Sequence, residues 1–374
     1  MKIAMLGGGQ LGRMFMQAAA NYPAEIHILD PQEVPPCAGM GAAVVQGDFA
    51  DYDTVMRFAA DADVVGIEIE HVSVKALRDL AAAGKRVIPA PDVLALIQDK
   101  GLQKDFYAAK GLPTVPYYLA GGAKDIDVQR IPLPFVQKAR TGGYDGKGVQ
   151  VIHNEADLAK LWDVPSVIEA FFPIECEIAV FVVSDGAGDV RSYPVFEMVF
   201  DPALNLVDAV RSPAQIDEKI AEKAQIIARQ LVAALGSAGL FAVEMFVTDT
   251  GDVWVNETAP RVHNSAHLTI EAHASSQFDQ MFRVLAGLPL GDTAQYRHAA
   301  MFNVIGAPGH SGKPLLLGTE EVMAVPDVHV HWYGKTETRP GRKMGHVTVL
   351  AANGEELAEK MEQIQGKLKV VSHG

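Results

Sequence analysis

The sequence is short of cysteine and of positive charge, and both shortages narrow what it can be. Only Cys37 and Cys176 occur in 374 residues. Two thiols so far apart make neither a disulfide framework nor a zinc site, and they suit a reducing, cytoplasmic compartment. Lys and Arg number 32 against 46 Asp and Glu, a formal charge of -14. That balance removes the counterion-release term on which general nucleic-acid binding depends, so any phosphate-bearing ligand must be met by local cations. No apolar run approaches the roughly 18 residues of a membrane span. The opening MKIAMLGGGQLG is interrupted by glycines too early for a signal peptide and reads as a strand. Internal repeats are absent, and so is the G-x-x-x-x-G-K-S/T of a P-loop.

What is present is an ordinary globular composition, 49% hydrophobic and 21% charged. Single cores stop growing at about 250 to 300 residues, so two or three lobes are expected. Over the first 97 residues the apolar segments KIAML, EIHILD, ADVVGIEIE and KRVIPA alternate with the helical stretches RMFMQAAANY, TVMRFAADA and VKALRDLAAAG. That alternation predicts a parallel sheet with flanking helices. Beyond DKGLQKDFYAAKGLP the texture becomes β-rich, in PFVQKAR, GVQVIHN, SVIEAF, IECEIAVFVV and SYPVFEMVF, and an antiparallel or mixed arrangement is expected. Ser212 and Pro213 read as the N-cap and first residue of a long helix closed by Gly236. The strands GLFAVEMFVT and DVWVNET follow. A last region from about 297 holds strand-like HAAMFNVIG, HVHWYG and GHVTVLA and a helix at GEELAEKMEQIQ.

Several constellations carry chemistry. Gly7, Gly9 and Gly12 form G-x-G-x-x-G between a strand and a helix, and Asp30 stands where a ribose-binding acid would. This supports a dinucleotide-dependent oxidoreductase, although such a turn serves any anion through its free N–H groups, or serves only as a tight turn. From Lys138 to Gly148, glycines surround Lys147 between two strands, with Lys138 and Arg140 just before them. Backbone N–H groups and three cations would converge there on polyphosphate; the plainer reading is a solvated glycine hairpin. Glu244 and Glu257 face each other if Asp249 to Asp252 form a hairpin turn, a register that also pairs 248 with 253 and 246 with 255. Opposed carboxylates repel, which calls for a cation unless one of them faces solvent or an arginine. Magnesium, which takes one or two carboxylates plus nucleotide phosphates, is the natural ion, with Asn256 as a further oxygen donor. The next loop groups Arg261, His263, Asn264 and His267, and Lys335, Arg339, Arg342 and Lys343 form the densest basic cluster, suited to a phosphate.

In this order, GGGQLGRM (7–14), EIEH (68–71), GGYDGKG (142–148), VIEAF with Glu177 beyond it, VNETAPRVHNSAH (255–267) and YGKTETRPGRKMGH (333–346) resemble, end to end, the N5-carboxyaminoimidazole ribonucleotide synthetases of the ATP-grasp superfamily. The resemblance implies an α/β chain in three parts: a Rossmann-like preATP-grasp lobe (1–97), an ATP-grasp region (98–296) with a mobile lid near 140–150, and a small C-terminal β-rich lobe (297–374). It places ATP between the grasp subdomains, with its phosphates on Lys100 and Lys138. Gly143, Tyr144, Asp145, Gly146, Lys147, Gly148 and Val149 would be the lid, and the backbone of Glu169, Ala170, Phe171 and Phe172 would meet adenine. Glu177 would hold the ribose, and Glu244 and Glu257 would hold Mg2+ beside Asn256. Aminoimidazole ribonucleotide would rest against Gln10, Leu11, Glu68 and Asn264, its phosphate on Lys335, Arg342 and Lys343.

The implied reaction is the ATP-dependent carboxylation of that ribonucleotide by bicarbonate, through carboxyphosphate, in purine synthesis. The resemblance further implies a cytoplasmic homodimer without nucleic-acid or membrane partners. Lys138 would offset developing charge, Arg261 would hold bicarbonate, and His263 or His267 would move the amine proton. The neighbouring alternative is a formate-dependent glycinamide ribonucleotide transformylase, which HNSAH after Pro260 and Arg261 disfavours. Three positions depart from the family pattern: Glu197-Met-Val-Phe200 in place of E-N-x-H, Val149 in place of glutamine, and Ala266 where glycine is common. They bear on nucleotide affinity more than on the metal or substrate residues.

Overall fold

A computed structural model of the protein describes residues 1–143, 148–201 and 206–372. Its first part alternates strands and helices: β1 (Lys2–Leu6), α1 (Gln10–Ala19), β2 (Glu25–Asp30), β3 (Ala43–Gln46), α2 (Tyr52–Phe58), β4 (Val64–Ile67), α3 (Val74–Ala82) and β5 (Arg86–Ile88). The strands pair in parallel in the order β3-β2-β1-β4-β5. The sequence pattern had marked every one of these strands except β3, a mostly exposed edge strand of four residues with too little buried surface to leave an apolar signature.

Helices α4 (Pro91–Ile97) and α5 (Lys100–Ala109) lead into two antiparallel sheets. The smaller, in the order β6-β9-β7-β8, contains β6 (Tyr117–Ala120), β7 (Phe135–Ala139), β8 (Val149–Ile152) and β9 (Ser166–Ala170). The larger draws on β10 (Cys176–Ser184), β11 (Val190–Ser192), β12 (Phe196–Asp201), β13 (Leu206–Ser212), β14 (Gly239–Val247) and β15 (Val253–Ala259). Helix α6 (Glu218–Leu235) precedes β14; α7 (Thr269–Ala272) and α8 (Gln277–Ala286) follow β15. The C-terminal part adds β16 (His298–Ile305), β17 (Pro314–Leu317), α9 (Thr319–Met323), β18 (Val328–Trp332), β19 (Lys343–Ala351), α10 (Gly354–Ile364) and β20 (Lys369–Ser372). Strands β16, β19 and β18 continue the larger sheet through the β13 to β16 pairing, while β17 and β20 pair with each other. Among the described residues no helix is long and apolar enough to cross a membrane.

Within the larger sheet β10 is buried on both faces, which explains its unbroken apolar run. Ile178, Val180 and Val182 pack with Ile227, Leu231 and Val232 of α6. The alternate residues Ala179, Phe181 and Val183 face a core shared with Phe15 of α1 and Phe278 and Phe282 of α8. One strand thus holds the grasp region to the first lobe, and a strand covered on both sides carries no polar alternation.

The long helix departs from expectation at its start. Ser212 is the last residue of β13, pairs with Ala299 of β16 and donates its hydroxyl to Gln295 Oε1 at 2.9 Å. The cap is Asp217, whose carboxylate accepts the Lys219 N–H at 2.9 Å. Sheet pairing claimed the Ser-Pro step before the helix could use it. Gly236 closes the helix with a left-handed φ of 64°, as expected. Asp217→Ala should therefore lower the unfolding free energy by about 1 kcal/mol, measured by urea titration with an unchanged slope.

Candidate active site

Strands β14 and β15 form a hairpin in which Glu244 lies opposite Glu257. The register near the turn differs by one from the expected one: Val247 faces Val253, Phe246 faces Trp254 and Met245 faces Val255. The turn is one residue longer than the sequence suggested, spanning Thr248 to Asp252, with the Thr248 N–H donating to the Asp252 carbonyl at 3.0 Å. A bulge at Asn256 absorbs the slip and returns the two glutamates to opposition. The bulge also aims Asn256, whose Oδ1 accepts from Lys138 Nζ at 2.7 Å.

Both carboxylates are half-buried, and their surroundings treat them unequally. Burial, the Glu257 charge and the Glu177 charge push Glu244 up to about 8. Burial works against the Glu257 anion too, but its direct ion pair with Lys100 outweighs this and holds it below the usual carboxylate range. Burial also raises Glu177 to about 7. His263 Nε2 stands 3.5 Å from Glu244 Oε1. Among the described residues no group of three or more His, Cys, Asp or Glu is arranged to enclose a metal by itself. Two opposed oxygen ligands with surplus negative charge fit instead an ion that completes its shell with water and phosphate, as Mg2+ does.

Behind the hairpin lies a small cavity lined by Lys100, Gln103, Lys104, Lys138, Glu169, Asn256 and Glu257. The Glu169 side chain, 2% exposed, bridges two lysines, with Oε1 at 2.8 Å from Lys104 and Oε2 at 2.7 Å from Lys138. The expectation for Glu169 and Ala170 concerned their backbone groups and adenine, and it left this side-chain pairing unforeseen. Glu169 sits within β9 between β6 and β7, and the Ala170 N–H donates to the Pro116 carbonyl at 2.9 Å. Phe171 and Phe172 lie past the strand end; Phe171 is exposed and Phe172 packs its ring 5.1 Å from that of Trp254. Arg140 is likewise not directed at the cavity, because its guanidinium grips both oxygens of Asp99 at 2.8 and 2.7 Å. Tyr144, Asp145, Gly146 and Lys147 lie outside the described residues; Gly143 and Gly148 flank them, and Val149 opens β8 opposite Lys138.

The loop after β15 reaches the first lobe. Arg261 Nε pairs with Glu70 Oε2 at 2.8 Å. Asn264 and Asn303 exchange amide hydrogen bonds at 2.9 and 3.2 Å. His267 does not join this group: it is 1% exposed, its Nδ1 accepts from Gln277 Nε2 at 2.9 Å, and its ring lies among Phe278, Tyr333 and His346. Burial drives it well below the ordinary histidine range. A neutral ring sealed in this way is a packing group, so of the two histidines expected to move a proton only His263 faces the carboxylates.

The glycine-rich turn holds the protein's own acids. Glu68 accepts from the N–H groups of Gly9 and Gly12 at 2.7 and 2.9 Å, and Asp30 accepts from Gly8 and Gln32 at 2.8 and 2.9 Å. A Cβ on Gly7, whose φ is +99°, would fall 2.6 Å from Glu68 Cγ. The amides that would bind a pyrophosphate and the acid that would bind a ribose are thus both engaged, which removes the oxidoreductase reading. Gln10 is partly exposed at the start of α1 and Leu11 is 8% exposed beside it. The C-terminal loop comes to the same helix: a Cβ on Gly334 would lie 3.3 Å from Arg13 Nη1. In that loop Lys335 donates to the Lys343 carbonyl at 2.6 Å and Arg342 to the Glu337 carbonyl at 2.7 Å, which keeps the three basic residues together.

Lys104, Glu70, Asn303 and Gln277 were not anticipated from the sequence. Lys104 had a local signal, since it stands one helical turn after Lys100. Asn303 and Gln277 are recruited from β16 and α8 and had none, while Glu70 lies in the EIEH segment just after β4, whose partner the sequence did not show.

Comparison with known proteins follows the same three parts. Residues 1–98 match the ribonucleotide synthetase preATP-grasp domain, 105–278 the ATP-grasp domain, and 299–360 the phosphoribosylaminoimidazole carboxylase C-terminal domain. The N5-carboxyaminoimidazole ribonucleotide synthase of Synechococcus elongatus is 35% identical over 99% of this chain and 94% of its own length. The chain belongs to the N5-carboxyaminoimidazole ribonucleotide synthetase family. The crystal structure of the Thermotoga maritima synthetase superposes with a TM-score of 0.91 at 40% identity, covering 100% of this chain and 99% of that one. That from Aspergillus clavatus in complex with ADP and 5-aminoimidazole ribonucleotide gives 0.87 at 31% identity, over 97% and 96%.

Within this ATP-grasp ligase family the departures noted above fall at Met198, which is buried, at Phe200, whose side chain lies outside the described residues, at Val149, which opens β8, and at Ala266, which is fully buried. Glu197, which the family pattern shares, forms a two-pronged ion pair with Arg211 and accepts the Gln215 N–H at 2.8 Å. Above about pH 8, where Glu244 is ionised in the metal-free protein, Glu244→Gln removes one of two like charges without removing packing volume. Its melting temperature in metal-free buffer should equal or exceed that of the parent, whereas turnover with Mg-ATP should fall by about a hundredfold or more. Parent-like turnover would contradict a metal role for Glu244.

Proposed function

We infer that the chain carries out the ATP-dependent carboxylation of 5-aminoimidazole ribonucleotide by bicarbonate, a step of purine biosynthesis, as a cytoplasmic homodimer. The observation that supports this reading best is the continuity of two sites: the opposed Glu244 and Glu257 are followed, within one loop, by Arg261 and His263. A phosphate acceptor held by that loop would meet the terminal phosphate of ATP.

Each residue contributes positioning or charge, which is most of what phosphoryl transfer requires. Lys138 and Lys100 border the cavity beside Glu257 and offset negative charge on the phosphates. Mg2+, held by Glu244 and Glu257 with Asn256 beside them, would neutralise the charge that develops between phosphate groups. Arg261, fixed by Glu70, is suited to the bicarbonate oxygens. The bicarbonate oxygen displaces ADP at the γ-phosphorus to give carboxyphosphate. The amine then attacks its carbon, or carbon dioxide released from it, with loss of phosphate. His263, beside Glu244, would accept the amine proton. Carboxyphosphate hydrolyses readily, so water must be kept from it, a task for which the glycine-rich segment 142–148 is composed. The ribonucleotide is assigned to the space between the start of α1 and the loop of Lys335, Arg342 and Lys343, where cations are densest.

Two measurements test the reading. With Mg-ATP and aminoimidazole ribonucleotide, phosphate release should require bicarbonate and should not occur with formate; formate-dependent turnover of glycinamide ribonucleotide would transfer the chain to the neighbouring family. Lys335→Ala should raise KM for the ribonucleotide about tenfold while KM for ATP stays near that of the parent, because the lost partner is the substrate phosphate. A fall in ATP affinity instead would show that the basic loop serves the nucleotide.

A further inference from the structure

Lys104 has no part in the reaction as described, yet it is 2% exposed and charged groups surround it. Its ammonium lies 2.8 Å from Glu169 Oε1, donates to Thr114 Oγ1 at 2.9 Å and approaches the Val255 carbonyl at 3.4 Å. The other oxygen of Glu169 is 2.7 Å from Lys138, which in turn donates to Asn256. These side chains form a row in which positive, negative and positive charges alternate before ending at the amide beside Glu257. We propose that Lys104 is a positioning residue: its charge balances Glu169, so that Lys138 presents an uncancelled positive charge to the phosphates of ATP.

The argument is one of charge and reach. A buried Lys138–Glu169 pair alone is neutral and offers an anion little attraction, whereas the row of three carries a net charge of +1. The lysines also hold different oxygens. Without Lys104, Glu169 Oε1 is free to turn towards Lys138 and draw its ammonium from Asn256. Core packing does not account for Lys104, since an apolar side chain of similar length fills the same space without the desolvation cost of a third charge. That cost is visible in Lys104 itself, which burial pushes down to about 8 although Glu169 counteracts it.

The proposal rests on Lys138 being a phosphate ligand, and the test separates the two claims. Mg-ATP affinity is measured by calorimetry, and adenosine affinity by competition, for the full chain and for Lys138→Met, Lys104→Met, Glu169→Gln and the double variant Lys104→Met/Glu169→Gln. Lys104→Met should weaken Mg-ATP binding about tenfold and leave adenosine binding unchanged. The double variant, which restores the net charge, should return Mg-ATP affinity to near the parent value. A purely structural lysine would give no such rescue by removal of an acid. Parent-like ATP binding by Lys104→Met overturns the proposal, as does a double variant no better than Lys104→Met while Lys138→Met is defective. Should Lys104→Met fail to fold, a double variant that binds Mg-ATP about tenfold more weakly than both Glu169→Gln and the parent overturns it equally. If Lys138→Met binds Mg-ATP as the parent does, the phosphate-site reading itself fails and the proposal falls with it.

Discussion

Two like charges held opposite each other on a half-buried hairpin are the constraint around which the middle of this molecule is arranged. Repulsion between Glu244 and Glu257 would loosen the pairing of β14 and β15 unless neighbours absorbed it. Lys100 takes one carboxylate, and the other keeps a raised proton affinity, with His263 3.5 Å away and the charges of Lys100 and Lys138 offsetting part of the repulsion. The bulge at Asn256 sets this opposition, and the same bulge gives Lys138 its amide partner. Helix α5 contributes through two lysines one turn apart, Lys100 to the hairpin carboxylate and Lys104 to Glu169. Charge is thus distributed so that anions and a cation would complete the site.

The fold keeps these groups in place by sandwiching β10 and β14 between α6 on one side and α1 with α8 on the other. That sandwich joins the first lobe to the grasp, and the pairing of β13 with β16 extends the same sheet into the C-terminal part. Residues far apart in the chain therefore meet on a common support: Arg261 with Glu70, Asn264 with Asn303, and the loop of Lys335 with the start of α1. The glycine turn serves this assembly by tying β1, β2 and the Glu68 segment together through Asp30 and Glu68.

Much of this was legible in the amino-acid order. Short apolar segments alternating with helical stretches marked the parallel strands except β3, and Gly236 marked the end of α6. The ordered motifs identified the family by themselves. Glu244 and Glu257 were paired correctly even though the register assumed for the turn was off by one, because the bulge compensates for the longer turn. Such patterns are local, and local backbone preference decides them.

What only the tertiary structure decided is which polar groups are already engaged. Sequence patterns offered Asp30 to a ribose, Arg140 to phosphate and His267 to a proton. In the folded chain these are held by Gly8, by Asp99 and by Gln277. A buried polar group must be hydrogen-bonded or ion-paired, and its partner is chosen by distance in space. The sequence therefore determined the fold class and the family, whereas the burial and pairing of each charge, and with them the partners of Lys104, Glu70 and His263, were decided by the packing of segments that are remote along the chain.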